Sequence, residues 1–170
     1  MKIQQIDEVD GRRTFVMVCD RGDDPVEALT AAAKRFDLSA ASLTGIGAFS
    51  GVTLGFFDRG RRDYARRVIR EQVEVVSLLG NVALDGGEPR VHVHVAVARY
   101  DGSALGGHLL GGTVDPTLEV IILESPRILR RKTDQTTGLA LLDLDWSRSG
   151  PNYTVISSCY SEDEGQITLQ

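Results

Sequence analysis

Alternation of apolar and polar residues along the chain predicts a protein built mainly of β-strands. The clearest example is RVHVHVAVARY, residues 90–100, in which valine occupies every second position from 91 to 97. A period of two is typical of a strand with one face in the core and the other in water. Further strands are predicted at 13–20, 73–84 and 117–125. Residues 41–58 are predicted to form two strands, with a tight connection where Gly47 and Gly51 break the run.

A helical period in DPVEALTAAAKRF, residues 24–36, predicts one helix. Asp24 is suited to cap this helix and Pro25 to occupy its first position. The apolar side chains expected to face the core are Val26, Leu29, Ala33 and Phe36. The segments between the later strands are too short for helical crossovers. The predicted fold class is therefore α/β of the α+β type, a single domain with one main helix packed on a central, mostly antiparallel sheet.

The chain of 170 residues is long enough for one core, and we expect one domain over residues 1–145. Residues 146–170 are expected to form a C-terminal extension, with one extra strand at YTVISSCY and an acidic tail at SEDEGQ. Only two cysteines occur, Cys19 and Cys159, and their spacing indicates neither a disulfide framework nor a cysteine-rich zinc module. No segment has the apolar character of a signal peptide or a membrane span, so we expect a cytoplasmic protein without a membrane partner.

Charge is distributed unevenly along the chain. The formal net charge of −5 gives no overall attraction to a nucleic-acid backbone, so any such contact must be local. The best candidate is RGRRDYARRVIR, residues 59–70, which contains one acid and six arginines: Arg59, Arg61, Arg62, Arg66, Arg67 and Arg70. This basic stretch predicts either a site for an anionic ligand or nucleic acid, or an exposed loop and edge strand whose charges prevent sheets from pairing. The short run at 130–132 is interpreted as solvated.

All three histidines of the chain lie within 17 positions. Alternation along the strand at 90–100 places His92 and His94 on one face, because the four valines occupy the other. Valine belongs in a core, so the two imidazoles are expected on the opposite face of the sheet.

The side of the sheet taken by His108 depends on the hairpin that follows. A two-residue loop at Asp101–Gly102 puts His108 opposite Val95, where it points into the core. A three-residue loop, or a bulge at Gly106–Gly107, puts it opposite Ala96 and brings it to the face of the other two histidines. Glycine permits such a bulge, which favours a cluster of three imidazoles.

Three neutral imidazoles leave a tetrahedral metal ion one open position, as in catalytic zinc sites. His92, His94 and His108 are therefore candidate ligands of a divalent metal, with zinc first and iron, nickel or cobalt as alternatives. The alternative is that backbone carbonyls or a subunit contact satisfy the imidazoles. Glu74 and Glu119 are candidates to orient the ligands, and Glu88 is a weak candidate for a catalytic acid or base.

Four motifs in a fixed order carry a resemblance to a known family. They are Gly-Asn at 80 and 81, Gly-Glu-Pro at 87–89, His-x-His at 92 and 94, and Gly-Gly-His at 106–108. With the segments around them, from about residue 10 to 145, the chain resembles the plants-and-prokaryotes-conserved (PPC) domain. That resemblance implies a central antiparallel sheet, assembly as a homotrimer, and a metal site at His92, His94 and His108. Plant members contact DNA through a separate AT-hook, and RGRR at 59–62 lacks its proline.

The favoured functional hypothesis is a small homotrimeric protein that binds a divalent metal and serves as a binding protein for a small-molecule ligand or a partner. One alternative is a metal-dependent hydrolase or lyase, in which the metal lowers the pKa of bound water to about 7. A second is a DNA-associated regulator that uses the arginines of residues 59–70.

Overall fold

The structure is a computed structural model that describes residues 1–144. The extra strand and acidic tail predicted for residues 146–170 lie outside the described residues. In chain order the elements are β1 (Lys2–Val9), β2 (Arg12–Cys19), α1 (Pro25–Arg35), β3 (Ala40–Asp58), β4 (Asp63–Ile69), β5 (Val73–Asp85), β6 (Glu88–Ala98), β7 (Ala104–Glu124), β8 (Arg130–Thr133) and β9 (Ala140–Asp143).

These strands form a single, largely antiparallel sheet, which confirms the predicted fold class. The order is β1-β2-β7-β3-β5-β8-β9, with β4 paired to β3, and with β6 paired to both β5 and β7. The pairings β3–β5, β5–β6, β6–β7 and β7–β3 make a closed circuit, so the middle of the sheet curls around its own core. One parallel contact, between Leu84 and Arg130, attaches the β8–β9 hairpin to β5.

Residues 41–58 are one long bent strand, so the prediction of two strands was wrong. The register of β3 shifts against β5 between Gly45 and Gly47, and against β7 between Phe49 and Gly51, but the strand does not end at either place. Gly47 lies so close to β7 that a Cβ atom there would be 2.3 Å from the carbonyl oxygen of Thr117. The glycines of this run therefore permit bending and close packing, and no connection interrupts the strand.

The helix has the predicted cap and the predicted inner face. Asp24 Oδ1 accepts hydrogen bonds from the backbone N–H groups of Val26 at 2.8 Å and Glu27 at 3.0 Å. Its second oxygen accepts from the N–H of Gly112 at 2.9 Å, which fastens the start of α1 to β7. Leu29 and Ala33 are buried, and Val26 and Phe36 pack against the core from its margin. Among the described residues, no helix has the length and apolar content to cross a bilayer.

The alternation along β6 sets the direction in which the histidines point. Val93, Val95 and Val97 are buried in the core, and Val91 packs against it, as predicted. The even-numbered positions of β6 consequently belong to the opposite face of the sheet.

Candidate metal centre

The β6–β7 hairpin brings the third histidine to the other two. Arg99 donates its N–H to the carbonyl of Ser103 at 2.9 Å, which closes a three-residue loop at 100–102. Gly102 has φ +79°, the left-handed residue that such a loop requires. The register then places His108 directly opposite His94. The prediction that His108 shares a face with His92 and His94 is confirmed. The predicted cross-strand partner, Ala96, was wrong, because that pairing requires a loop at 101–103 and the observed loop lies at 100–102.

No bulge is needed at Gly106–Gly107, since the pairing of β6 with β7 runs without a shift from 104 to 108. The two glycines are explained by close packing. A Cβ atom at Gly107 would lie 2.8 Å from the carbonyl oxygen of Gly55, and one at Gly106 would lie 3.1 Å from that of Val95. These contacts require residues without a side chain where three strands meet.

The imidazole nitrogens of His92, His94 and His108 converge on one point. One ligand atom from each ring lies within 4.8 Å of the other two. Nε2 of His92 and Nε2 of His94 are 3.2 Å apart, close to the ~3.4 Å between two nitrogens each about 2.1 Å from a tetrahedral ion. In addition, Nδ1 of His108 is buried and has no hydrogen-bond partner among residues 1–144. Buried polar atoms rarely lack a hydrogen-bond partner, and coordination of a cation would give the nitrogens of the cluster a partner.

An aromatic wall covers one side of the cluster. The ring of Tyr64, on β4, stacks on the imidazole of His108 with centroids 4.7 Å apart and an interplanar angle of 21°. Gly55 lies between them in the sheet and leaves the space, because a Cβ atom there would be 2.8 Å from the Tyr64 ring. The contact with Phe57, at a centroid distance of 5.4 Å, holds the tyrosine from its other side.

An amide and a guanidinium cover the opposite side, and sequence reasoning assigned neither of them a role. Asn81 lies directly opposite His92 in the β5–β6 register. Arg131 of β8 donates from Nη2 to Oδ1 of Asn81, and from Nη1 to the carbonyl of Ala140 at 3.0 Å. The interpretation of residues 130–132 as solvated is thus wrong for Arg131, which is partly buried. The Gly-Asn motif at 80 and 81 was the available signal for Asn81.

The three candidate carboxylates lie away from the imidazoles. Glu88 is exposed at the end of β6 and faces Lys34 of the helix at 3.7 Å. Glu74 pairs with Ala98, four residues from His94 along β6, and Glu119 pairs with Ile46. Among the described residues, none of these carboxylates accepts a hydrogen bond from a histidine. The proposed orienting and acid–base roles stay predictions without a contact to support them.

The arginines of residues 59–70 form an exposed turn and the strand β4, which pairs only with β3 in the described part of the chain. Arg66 and Arg67 point to opposite faces because they are neighbours on one strand. Arg66 pairs with Gly55, which in turn pairs with His108, so that Arg66 shares the face of the cluster. Arg62 donates from Nη2 to the carbonyl of Gln135 in the β8–β9 hairpin at 3.2 Å. This exposed position at the edge of the sheet agrees with the alternative in which the charges of an edge strand prevent sheets from pairing.

Burial favours the neutral form of His92 and His108. It is the largest cause that lowers the pKa of His108 from 6.5 to about 4, and the charges of His92 and His94 add to it. Burial also lowers the pKa of His92, with the positive charge of Arg131 as the second cause. Neutral imidazole is the form that coordinates a metal, so the environment favours ligation near neutral pH.

The metal-free protein is expected to lose stability on acidification. The pKa of His108 is about 4 in the folded chain and about 6.5 when it is unfolded. The unfolded chain therefore binds more protons between these values, and the free energy of unfolding falls as the pH drops from 6.5 towards 4. Chemical denaturation of apo protein at several pH values, with His108→Gln alongside, measures this. The difference between the two proteins in the slope of unfolding free energy against pH gives the contribution of His108. Equal slopes would contradict the lowered pKa of this histidine.

Comparison with known proteins adds three findings. The model of the Plants and Prokaryotes Conserved (PCC) domain matches residues 6–126, which leaves the β8–β9 hairpin outside the match. A metal-containing protein from Archaeoglobus fulgidus has a similar structure, with a TM-score of 0.71 and 32% identity over 83% of this chain and 98% of that one. A protein from Bacteroides thetaiotaomicron, described as a candidate DNA-binding protein, gives a TM-score of 0.74 and 28% identity over 82% and 96% of the two chains.

A curated relative is the bifunctional protein GlmU of Synechococcus sp. strain JA-3-3Ab, which is 32% identical over 127 residues, or 73% of this chain. The match includes 19% of that protein, so the chain spans about a fifth of the length of the curated relatives it matches.

Proposed function

The chain belongs to the Plants and Prokaryotes Conserved (PCC) domain family, and from this premise we propose that it is a homotrimeric metal-binding protein that recognises a small ligand. A divalent ion, zinc first among the candidates, is held by His92, His94 and His108. The convergence of one nitrogen from each imidazole to within 4.8 Å of the others carries the proposal.

The residues present fit such an ion. Three neutral nitrogen ligands suit zinc and its neighbours in the first transition series. An ion bound there would supply a Lewis-acid centre with one open position for a ligand. The description of the Archaeoglobus fulgidus relative as metal-containing supports the same conclusion for this chain.

The protein's own groups would shape the space around that open position. Tyr64 restrains the ring of His108 by stacking, and Asn81 flanks His92 from the neighbouring strand. Among the described residues, none of the candidate carboxylates Glu74, Glu88 and Glu119 forms a hydrogen bond or ion pair with an imidazole, so the acid–base group that a hydrolase or lyase would use has no contact to support it. This favours a binding protein over a hydrolase or lyase.

Self-association is supported by an apolar outer face beside the cluster. We use this name for the six residues Val16, Val18, Ile46, Val76, Leu79 and Ile121, which line a groove of about 420 Å³. Leu79 lies directly opposite His94 in the β5–β6 register. Exposed apolar surface of this kind marks a protein interface, and here it would bring a second copy of the chain up to the edge of the metal site.

DNA binding is left out of the proposal. The arginines of residues 59–70 alternate between the two faces of β4 and the turn before it, so they do not make one basic surface of the kind that tracks a phosphate backbone.

Metal reconstitution tests the proposal. Protein stripped with a chelator is expected to take up about one equivalent of Zn²⁺ or Co²⁺ per chain, as three convergent imidazoles require. The Co²⁺ form is expected to show the intense visible bands of a four-coordinate ion. Dialysis followed by elemental analysis gives the stoichiometry. Absence of uptake at neutral pH would contradict the proposal, because the lowered pKa of His92 and of His108 favours the neutral form of these two ligands there.

A further inference from the structure

Arg131 carries a charge that the described residues offset only in part, through the charge of Asp85. Its guanidinium is partly buried, and its Nε is buried without a hydrogen-bond partner in the part of the chain that the structure describes. Of the five N–H groups of an arginine, described residues accept hydrogen bonds from two, through Asn81 and the carbonyl of Ala140. No carboxylate of residues 1–144 forms an ion pair with it. A half-buried cation without an ion-pair partner is costly, so its presence beside the cluster needs a reason.

The acid whose charge acts on Arg131 is already paired with another residue. Asp85 is the carboxylate that acts on Arg131 through its charge, but its side chain pairs with Nη1 of Arg90 at 2.5 Å. Burial lowers the pKa of the Arg131 guanidinium from its ordinary value, and the charge of Arg90 adds to this effect. The surroundings thus disfavour the cation, and an anion from outside the chain would reverse that.

Asn81 links this cation to the histidines. Its Oδ1 accepts the hydrogen bond from Arg131, and its Nδ2 is the donor group of the same amide. Asn81 is also the cross-strand neighbour of His92, and directly opposed residues have Cβ atoms about 5 Å apart. An amide donor and a guanidinium therefore stand together at one side of the imidazoles.

Two further arginines lie near this part of the sheet. Arg66 shares a row with Gly55 and His108, and Arg62 reaches the β8–β9 hairpin that carries Arg131. A bound divalent ion would add two positive charges. Arginine presents paired N–H groups that match the oxygens of a carboxylate or a phosphate.

We propose that Asn81 and Arg131 form the recognition site for the anionic group of a small ligand, a carboxylate or a phosphate, next to the histidine cluster. The inference rests on the proposed function in one respect, that the same ligand reaches the metal ion. Arg131 acts as the specificity-determining residue, since it supplies the counter-charge. Asn81 fixes its position and adds a neutral donor.

Titration of the metal-loaded protein with malonate and with inorganic phosphate tests the inference, with calorimetry as the readout. Wild type is expected to bind at least one of the two, and the stronger probe identifies the class of anion. Arg131→Gln, which keeps a donor but loses the charge, is expected to weaken that binding at least about tenfold. Lys132→Gln is the matched control, because it removes one positive charge from the adjacent position of the same strand. It is expected to bind like wild type.

Two further measurements separate the possible failures. Thermal unfolding and metal content of Arg131→Gln show whether the hairpin and the cluster are intact, and Arg131→Lys is expected to recover part of the affinity if the charge matters. Wild type that takes up metal but binds neither probe, or an Arg131→Gln variant that binds as tightly as wild type, overturns the inference. Arg131-dependent anion binding by a chain that takes up no metal would support the inference and refute the proposed metal site.

Discussion

Replacing His92 and His94 together by alanine is expected to reduce the bound divalent metal from about one equivalent per chain to almost none. The two Nε2 atoms lie 3.2 Å apart and would supply two of the three protein ligands. With them gone, one imidazole remains, and a single neutral nitrogen does not hold an ion against water. Because all three histidines of the chain belong to the cluster, no other histidine can substitute.

Glu88→Ala provides a matched control for this experiment. Glu88 lies on the same strand as the two histidines, but its carboxylate faces Lys34 and makes no contact with an imidazole. Its metal content is expected to equal that of wild type. Elemental analysis of untagged protein and titration with Co²⁺ measure both variants. Retention of a full equivalent of metal by the double variant would refute the cluster as the metal site. Loss of metal from Glu88→Ala would indicate that Glu88 takes part in metal binding, although its carboxylate faces Lys34.

The pattern of residues was sufficient to predict the parts of the fold that depend on local chemistry. Asp24 and Pro25 mark the start of α1 because a cap and a first-turn proline act over a few residues. The alternation along β6 similarly determines which side chains are buried, since a strand has two faces and valine takes the inner one. The common face of His92 and His94 follows directly.

The sequence restricted His108 to a few possible cross-strand partners but did not determine which one it has. The sequence YDGS allows several loops, and each one-residue change of register moves the third imidazole to the other face. In the structure only Gly102 of this loop has a positive φ, and Asp101 holds the turn by accepting hydrogen bonds from the N–H and the hydroxyl of Ser103. That choice depends on the fit of β7 between β6 and β3, which no local pattern encodes.

The contribution of Arg131 lies beyond local patterns altogether. The strands β8 and β9 have four residues each, too few for a period of two to stand out. Arg131 comes to Asn81 only because the hairpin packs beside β5, fifty positions away in the sequence. The outward-facing apolar residues of β5 could not be predicted from the sequence either. Both its faces carry apolar residues, so the sequence did not separate core positions such as Val75 from outward ones such as Val76.

That outward surface leads to the second large effect, a change of assembly. A double variant, Ile46→Asp with Val76→Asp, is expected to convert a trimer of the 18.5 kDa chain into monomers. The side chains of Ile46 and Val76 are 60% and 57% exposed in the single chain, and they lie in the groove of the apolar outer face. Burial of such a side chain contributes about 1.5–3 kcal/mol, and a carboxylate there would have to be desolvated instead.

Val9→Asp is the matched control for the assembly experiment. Val9 is 56% exposed, much like the two residues of the variant, but it lies at the end of β1 and outside the apolar outer face. Light scattering coupled to size-exclusion chromatography is expected to give threefold chain mass for wild type and for Val9→Asp, and single chain mass for the double variant. A folded double variant that keeps the wild-type mass would show that this face is not the interface.

The same variant also tests how the assembly relates to the metal site. Leu79 of the apolar outer face lies opposite His94, so a neighbouring copy would cover the cluster from that side and restrict access to the open position. All three imidazoles nevertheless come from one chain, which means that the monomeric variant is expected to keep about one equivalent of metal. Metal lost together with assembly would instead indicate that a second chain supplies a ligand.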